Sequence, residues 1–281
     1  MLFDLLEPRA EGYGYQVKEG RIDAVVALLH RSDGHLTTTN AAGFDALEKA
    51  WTAGQFPAAR AIKGQIEGPI TLATYLFHQG RPFLSDPALF AAIAFHVSQM
   101  ICWQVDRLKG FGVPVLLFLD EPALCLDAPG AVPEEKRLSA LAVTLEDARA
   151  RGAWAGLHCC AAHPFERMCR VKPDILSFDA HLGLESFFTD RHALAFVHQG
   201  GSVAYGMVPT WQSLEDLDPL SLFTRWLAAA SLAADPQELA QRALITATCG
   251  LGLLSPASVT ASFALAHGVS TLIRRLSGEA I

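Results

Sequence analysis

Basic residues are scarce in this chain. Its 22 Lys and Arg stand against 29 Asp and Glu, a net charge of −7 at pH 7. No Lys/Arg-rich tract interrupts that balance, which excludes the electrostatic footprint of a nucleic-acid or anionic-membrane binder. Charged residues make up only 18% of the chain and apolar ones 51%, which excludes disordered and low-complexity architectures. Six cysteines in 281 residues are too few for a disulfide scaffold. In a reducing compartment, any that cluster read as metal ligands or catalytic groups. The opening MLFDLLEPRAEG carries acids where a secretory leader has a basic segment, and a cytoplasmic setting is expected. A membrane span is missing too. The charge-free stretch 243–273 is broken by Gly250, Gly252, Ser255 and Pro256. It reads as a buried strand, a loop and a helix opening at Ser255-Pro256. Glycine-rich phosphate loops of the G-x-G-x-x-G or G-x-x-x-x-G-K-[ST] kind are absent.

What is present is alternation. From residue 60 onward, short apolar runs at 62–66, 113–119, 153–157, 175–178, 203–207 and 244–248 are separated by longer segments of helical period. That is the signature of βαβ units on a parallel sheet, with strands suited to burial on both faces. Helix signals fall between them. Ser85-Asp86-Pro87 supplies an N-cap and early proline for a helix running to Gly110. Pro133-Glu134-Glu135 opens another that closes at Gly152, a third covers 213–234, and a fourth follows Pro256. Residues 1–60 offer helices at 22–30 and 41–51 but no clear strand. With about 250 residues needed, the length fits a (β/α)8 TIM-type barrel whose first strand or strands are atypical or missing. An open doubly wound sheet is the competing architecture. No linker splits the composition, so 1–281 reads as one domain with an atypical 1–60.

In parallel α/β folds chemistry collects at the carboxyl ends of strands. There the sequence places Asp120-Glu121, His158-Cys159-Cys160, Asp179-Ala180-His181 and Cys249. His158 and Cys160, two apart on extended chain, point the same way and can share a metal. Cys249 can complete a mixed sulfur–nitrogen site, with an Asp179 oxygen or a His181 nitrogen as fourth ligand, and Zn²⁺ suits such a donor set. The plainer alternative treats free cysteines as small core residues, and it holds for Cys102, Cys125, Cys169 and the oppositely turned Cys159. Asp120 at the sheet mouth is placed to take an ammonium group, though paired acids before a proline also end strands in solvated turns. Glu121 stands beside it as a second candidate catalytic carboxylate.

Gly68-Pro69-Ile70-Thr71, Leu119-Asp120-Glu121-Pro122-Ala123-Leu124, His158-x-Cys160 and Cys249-Gly250-Leu251 resemble, in order and spacing, the C-terminal catalytic barrel of cobalamin-independent methionine synthase. They are also similar to its relatives in the uroporphyrinogen decarboxylase-like superfamily, which includes zinc-dependent methyltransferases. The resemblance covers roughly 60–275. It implies a barrel whose catalytic zinc is held by His158, Cys160, Cys249 and Asp179, with His181 as the substitute where Asp is a methylene shorter than the family's Glu. It implies that Asp120 holds the ammonium of an amino-acid thiol. It further implies methyl transfer to a small thiol such as homocysteine, because coordination to Zn²⁺ converts a thiol of pKa near 8.5 into a thiolate nucleophile.

Two departures shape that expectation. No I-G-S-like first strand occurs in 1–54, and the N-terminal folate-handling half of the family's full-length enzyme has no counterpart. A methyl-corrinoid, or a separate corrinoid protein, is therefore the expected donor. The rival readings are a metal-free lyase of the uroporphyrinogen decarboxylase type, with Asp120 or Asp179 orienting a pyrrolic substrate, and a non-catalytic metal- or corrinoid-binding accessory protein.

Overall fold

The computed structural model of the chain describes residues 2–127, 130–161 and 164–278. Contacts divide the chain into two units, Met1–Gly156 and Leu157–Ile281. The boundary falls inside a strand, which is why composition carries no trace of it. In the first unit the order is β1 (Leu6–Pro8), β2 (Tyr15–Val17), α1 (Ile22–His30), α2 (Ala42–Thr52), β3 (Ile62–Glu67), α3 (Pro69–Tyr75), β4 (Leu76–His78), β5 (Arg81–Pro82), α4 (Pro87–Lys109), β6 (Val115–Asp120) and α5 (Glu134–Ala150). Strand β7 (Ala153–Cys159) carries the chain over the boundary. The second unit continues with α6 (Phe165–Arg170), β8 (Ile175–Phe178), α7 (Ala180–Phe187), α8 (Arg191–His198), β9 (Ser202–Val208), α9 (Pro219–Ser231), α10 (Pro236–Ala240), β10 (Ala243–Ala247) and α11 (Pro256–Leu276).

Four helices open by one local device. Asp86, Asp218, Asp235 and Ser255 each precede a proline at the first helical position, and each side chain accepts a backbone N–H of the opening turn. Proline presets the helical φ and lacks the N–H that would go unbonded, while the cap satisfies the next donors. The device also starts α9 at Pro219, six residues later than periodicity suggests. Helix α4 is, among the described residues, long and apolar enough to cross a bilayer. It packs against α1, α3, α5 and β3, with Ile93, Val97, Ile101 and Val105 fully buried.

The six strands read from the sequence are β3 and β6 to β10. In the first unit β3 and β6 pair in parallel from Ile62–Val115 to Glu67–Asp120. In the second, β8, β9 and β10 follow in parallel, with β7 beside β8. The class is α/β, as expected. Among the described residues β3 has only β6 as a neighbour and β10 only β9, so the expected (β/α)8 barrel is not closed. The reason lies in residues 1–60. Their strands β1 and β2 are three residues each, too short to span a barrel, and they join β4 and β5 in a separate four-stranded sheet. Strand β3 also departs from two-sided burial. Ile62, Gly64 and Ile66 are buried while Lys63, Gln65 and Glu67 are exposed, a one-faced pattern of period two.

Candidate metal centre

The four residues expected to hold a metal, His158, Cys160, Cys249 and Asp179, all lie in the second unit. Alternation along β7 turns Cys159 inward, where it is fully buried and its thiol donates to the Ala161 carbonyl at 3.2 Å. His158 and Cys160 therefore share the other side. The His158 ring is nearly buried, and its Nδ1 lies 2.9 Å from Ser177 Oγ on β8. With Nδ1–H donating to that hydroxyl, Nε2 holds the lone pair a metal needs. Cys249 follows β10 and is exposed. Its approach is fixed one residue earlier: Thr248 is buried, and its Oγ1 accepts from the Thr210 backbone N–H at 3.2 Å.

Ligand atoms of His158, Cys160 and Cys249 all lie within 4.8 Å of one another. A tetrahedral zinc site, with Zn–S near 2.3 Å and Zn–N near 2.0–2.1 Å, sets its ligand atoms about 3.5–3.8 Å apart. Movements of roughly an ångström at the side-chain tips close the set around one ion. Two cysteine sulfurs and one imidazole nitrogen would suit zinc in softness. Behind the strands stands an aromatic core. Phe178 of β8 stacks on Phe187 of α7 at 4.8 Å, and Tyr205 of β9 meets both edge-on.

Asp179 and His181 stand outside the three-residue group. Asp179 is buried and caps α7, its Oδ1 accepting from the Leu182 N–H at 3.0 Å. His181 sits edge-on to Trp211, with Nε2 3.2 Å from Gln212 Nε2, and Arg225 donates to its carbonyl at 2.7 Å. Burial, and then the Arg225 charge, lower the His181 pKa, with the Asp179 carboxylate opposing them. Asp179→Ala is expected to cost about 1 kcal/mol of stability, the usual loss of an N-cap. Zinc affinity should stay within about threefold of wild type for both Asp179→Ala and His181→Ala, measured by competition with a chromophoric chelator. A larger loss in either variant would make that residue the fourth ligand.

The remaining cysteines are bound up in the fold. Cys125 donates to the Pro122 carbonyl at 3.1 Å and Cys169 to the His192 carbonyl at 3.5 Å. Burial pushes the Cys169 thiol up to about 12, far from reactive thiolate. Burial also raises the Cys102 thiol.

In the first unit Asp120 and Glu121 separate into different tasks. Glu121 is wholly buried beneath the first turn of α3. Its Oε1 accepts from the Ile70 N–H at 2.8 Å, and its Oε2 from the Thr71 N–H at 2.8 Å and the Thr71 hydroxyl at 2.7 Å. Thr71 Oγ1 in turn accepts from the Ala123 N–H at 3.0 Å. Gly68 is required there, since a Cβ would lie 2.3 Å from Glu121 Oε1. The Gly68-Pro69-Ile70-Thr71 and Glu121-Pro122-Ala123 motifs thus meet as a structural clasp. It gives Glu121 a positioning task in place of the catalytic one expected, because both its oxygens are consumed by backbone and hydroxyl donors.

Asp120 is open to more. Its Oδ2 accepts from the Gln65 side chain, and its Oδ1 has no hydrogen-bond partner among the described residues. Burial pushes its carboxyl up, against the pull of Gln65 and Lys63. Glu67, its partner in the β3–β6 register, is solvent-accessible at its edge, yet partial enclosure of its carboxyl and then the Asp120 charge raise it to about 7. Sequence reasoning missed Lys63, Gln65 and Glu67, whose signal was the polar alternation of Ile62–Glu67 itself. It also missed Ser177, a lone hydroxyl in an apolar strand.

No protein-family model matches the chain, and no curated protein matches it. Solved structures do match. Among them is a Listeria monocytogenes protein described, provisionally, as a vitamin-B12-independent methionine synthase, with 16% identity and a TM-score of 0.47. The alignment covers 77% of this chain and 63% of that one, so this chain spans less than two thirds of the neighbour's length. At that score the likeness carries no argument about function, which rests on the side chains alone.

Proposed function

We propose that this chain is a zinc-dependent methyltransferase that moves a methyl group onto a small thiol such as homocysteine, with a methyl-corrinoid as donor. The observation that carries the reading is the grouping of His158, Cys160 and Cys249, whose ligand atoms lie within 4.8 Å of one another. When bound, a zinc ion supplies Lewis acidity, which lowers the acceptor thiol's pKa and favours its thiolate at neutral pH. The chain's own part is to fix the donor set. Ser177 orients the imidazole through Nδ1, Cys160 and Cys249 contribute two negative charges, and the fourth position is left to the acceptor. In the transfer the thiol proton goes to solvent and the sulfur lone pair attacks the methyl carbon. An S–C bond forms while the donor–carbon bond breaks, its electron pair staying on the donor.

Purified full-length protein should carry about one zinc per chain and convert methylcobalamin plus homocysteine to methionine, with conversion abolished in Cys249→Ser. A metal-free chain that cannot be loaded with zinc would end the reading.

The resemblance gives Asp120 the acceptor's ammonium group. An ammonium ion taken from water needs a fixed anion in compensation. Asp120→Asn should keep fold and zinc but weaken homocysteine binding by roughly 10- to 150-fold, the loss of one charged hydrogen bond. A simple alkyl thiol should be indifferent. Equal losses for the two thiols in calorimetry would give Asp120 a purely structural role.

A further inference from the structure

A second site lies in the first unit and takes no part in the metal reading. A cavity of about 840 Å³ opens between α1, the loop 31–40, α3, α4 and the end of β3. Leu36 of the loop, Leu72 of α3 and Met100 of α4 line it half-buried, and Leu28 of α1 stands exposed at its mouth. Leu29, Leu76 and Ile93 back them as buried core. The loop wall is held by backbone. Gly34 has φ +72°, and a Cβ there would overlap the Gln99 carbonyl, so the loop packs directly on α4.

The polar groups of this cavity divide by depth. Gln104 turns its amide nitrogen to the Gln65 carbonyl at 3.4 Å, and its oxygen lies against Gly64, where a Cβ would overlap it. His96 Nδ1 is 2.6 Å from Ser32 Oγ, which also accepts from the Gly34 N–H at 3.1 Å. Arg31, Asp33, His35 and Asn40 line the cavity too, but all four are exposed, as are Gln65 and Glu67 at the β3 end. Charges of both signs therefore stand in water at the rim, where salt screens them and neither sign of ligand is favoured. What the interior offers is apolar contact. Pockets that take small organic molecules measure about 300–1,000 Å³ and have mostly apolar walls. Covering such walls with an apolar group removes both surfaces from water, which is the driving force for occupancy.

We propose that this cavity binds a hydrophobic organic molecule with a single polar end. The apolar chain or ring is covered by Leu36, Leu72 and Met100, and the polar end, whatever its charge, stays in water at the rim. The proposal stands apart from the metal reading and survives its failure. N-phenyl-1-naphthylamine, which brightens in apolar surroundings, is the reporter, and it should bind the full chain saturably at one site. Hexanol, heptanol and octanol should displace it with affinity rising about three- to fourfold per methylene, the gain from burying one more CH₂. Octanol, octanoate and octylamine, compared at physiological ionic strength, should agree within about threefold.

Met100→Trp should weaken every competitor at least about tenfold by filling the cavity. If that variant does not melt cooperatively, Leu36→Asp serves in its place: it sets a charge in the apolar wall from a loop, and an equal loss is expected. Affinity that fails to climb with chain length, a spread among the three head groups beyond threefold, or octanol binding unchanged in the folded variant would each overturn the proposal.

Discussion

Cys160→Ser and Cys249→Ser proteins are expected to purify without zinc, and to bind added zinc roughly 100-fold or more weakly than wild type. Serine is a neutral, hard donor, so either substitution removes one of only two anionic soft ligands from a three-ligand set. Losing an outer-shell partner typically costs 10–100-fold, and a first-shell thiolate exceeds that. Ser177→Ala serves as the graded control. It removes the acceptor of the His158 Nδ1 proton but no ligand, and a loss within that 10–100-fold range is expected. Cys159→Ser should keep full occupancy, because that thiol points into the core and bonds to Ala161. Elemental analysis after equilibrium dialysis reads all four proteins. Full zinc in both the Cys160 and Cys249 variants would dissolve the site.

Glu121→Ala should destabilise the first unit by about 3–5 kcal/mol, since each buried donor left without its acceptor costs about 1–3 kcal/mol. Three donors lose their acceptor at once: the N–H groups of Ile70 and Thr71 and the Thr71 hydroxyl. Glu121→Gln should fall between, since its amide keeps one acceptor and turns an NH₂ towards a donor. The same residue predicts a pH profile. Burial raises the Glu121 carboxyl to about 8, against the hydrogen bonds from Thr71 and Ile70 that pull it down. A folded-state pKa above the unfolded value means the folded chain holds the proton more tightly. The resulting stability is complete below about pH 4.5 and declines as the pH climbs through 8. Urea midpoints measured from pH 5 to 8.5 should drop with pH in wild type, and that slope should flatten in Glu121→Gln. An unchanged slope would locate the effect elsewhere, with Glu67, raised to about 7, the next group to substitute.

Local chemistry was the part of this molecule most legible in its sequence. Asp86-Pro87 and Ser255-Pro256 announce their helices because a cap and a proline act within one turn. His158-x-Cys160 announces a shared side because strands alternate by two. What stayed hidden depends on distant partners. Ser177 reads as a stray hydroxyl until β8 lies beside β7 and sets it against His158. Glu121 reads as half of an acidic pair until α3 buries it. Asp179 reads as a metal ligand, and its task as the cap of α7 appears only in the contact with the Leu182 N–H. Strands of three residues, such as β1 and β2, are too short to show a period at all, and the small sheet they form went unseen.

The placement of Cys249 has a consequence for handling and for life in air. Of the six thiols it is the exposed one, and its sulfur lies within 4.8 Å of the Cys160 sulfur. A bound cation would hold both as ligands and keep them apart. Stripped of it, the same two sulfurs are an oxidant's width from forming an intramolecular disulfide, which would consume both anionic ligands together. Metal occupancy and oxidation are then mutually exclusive states of one pair of atoms. Protein prepared with chelator and without reductant should refuse zinc until a thiol reductant is added, and should accept it again afterwards.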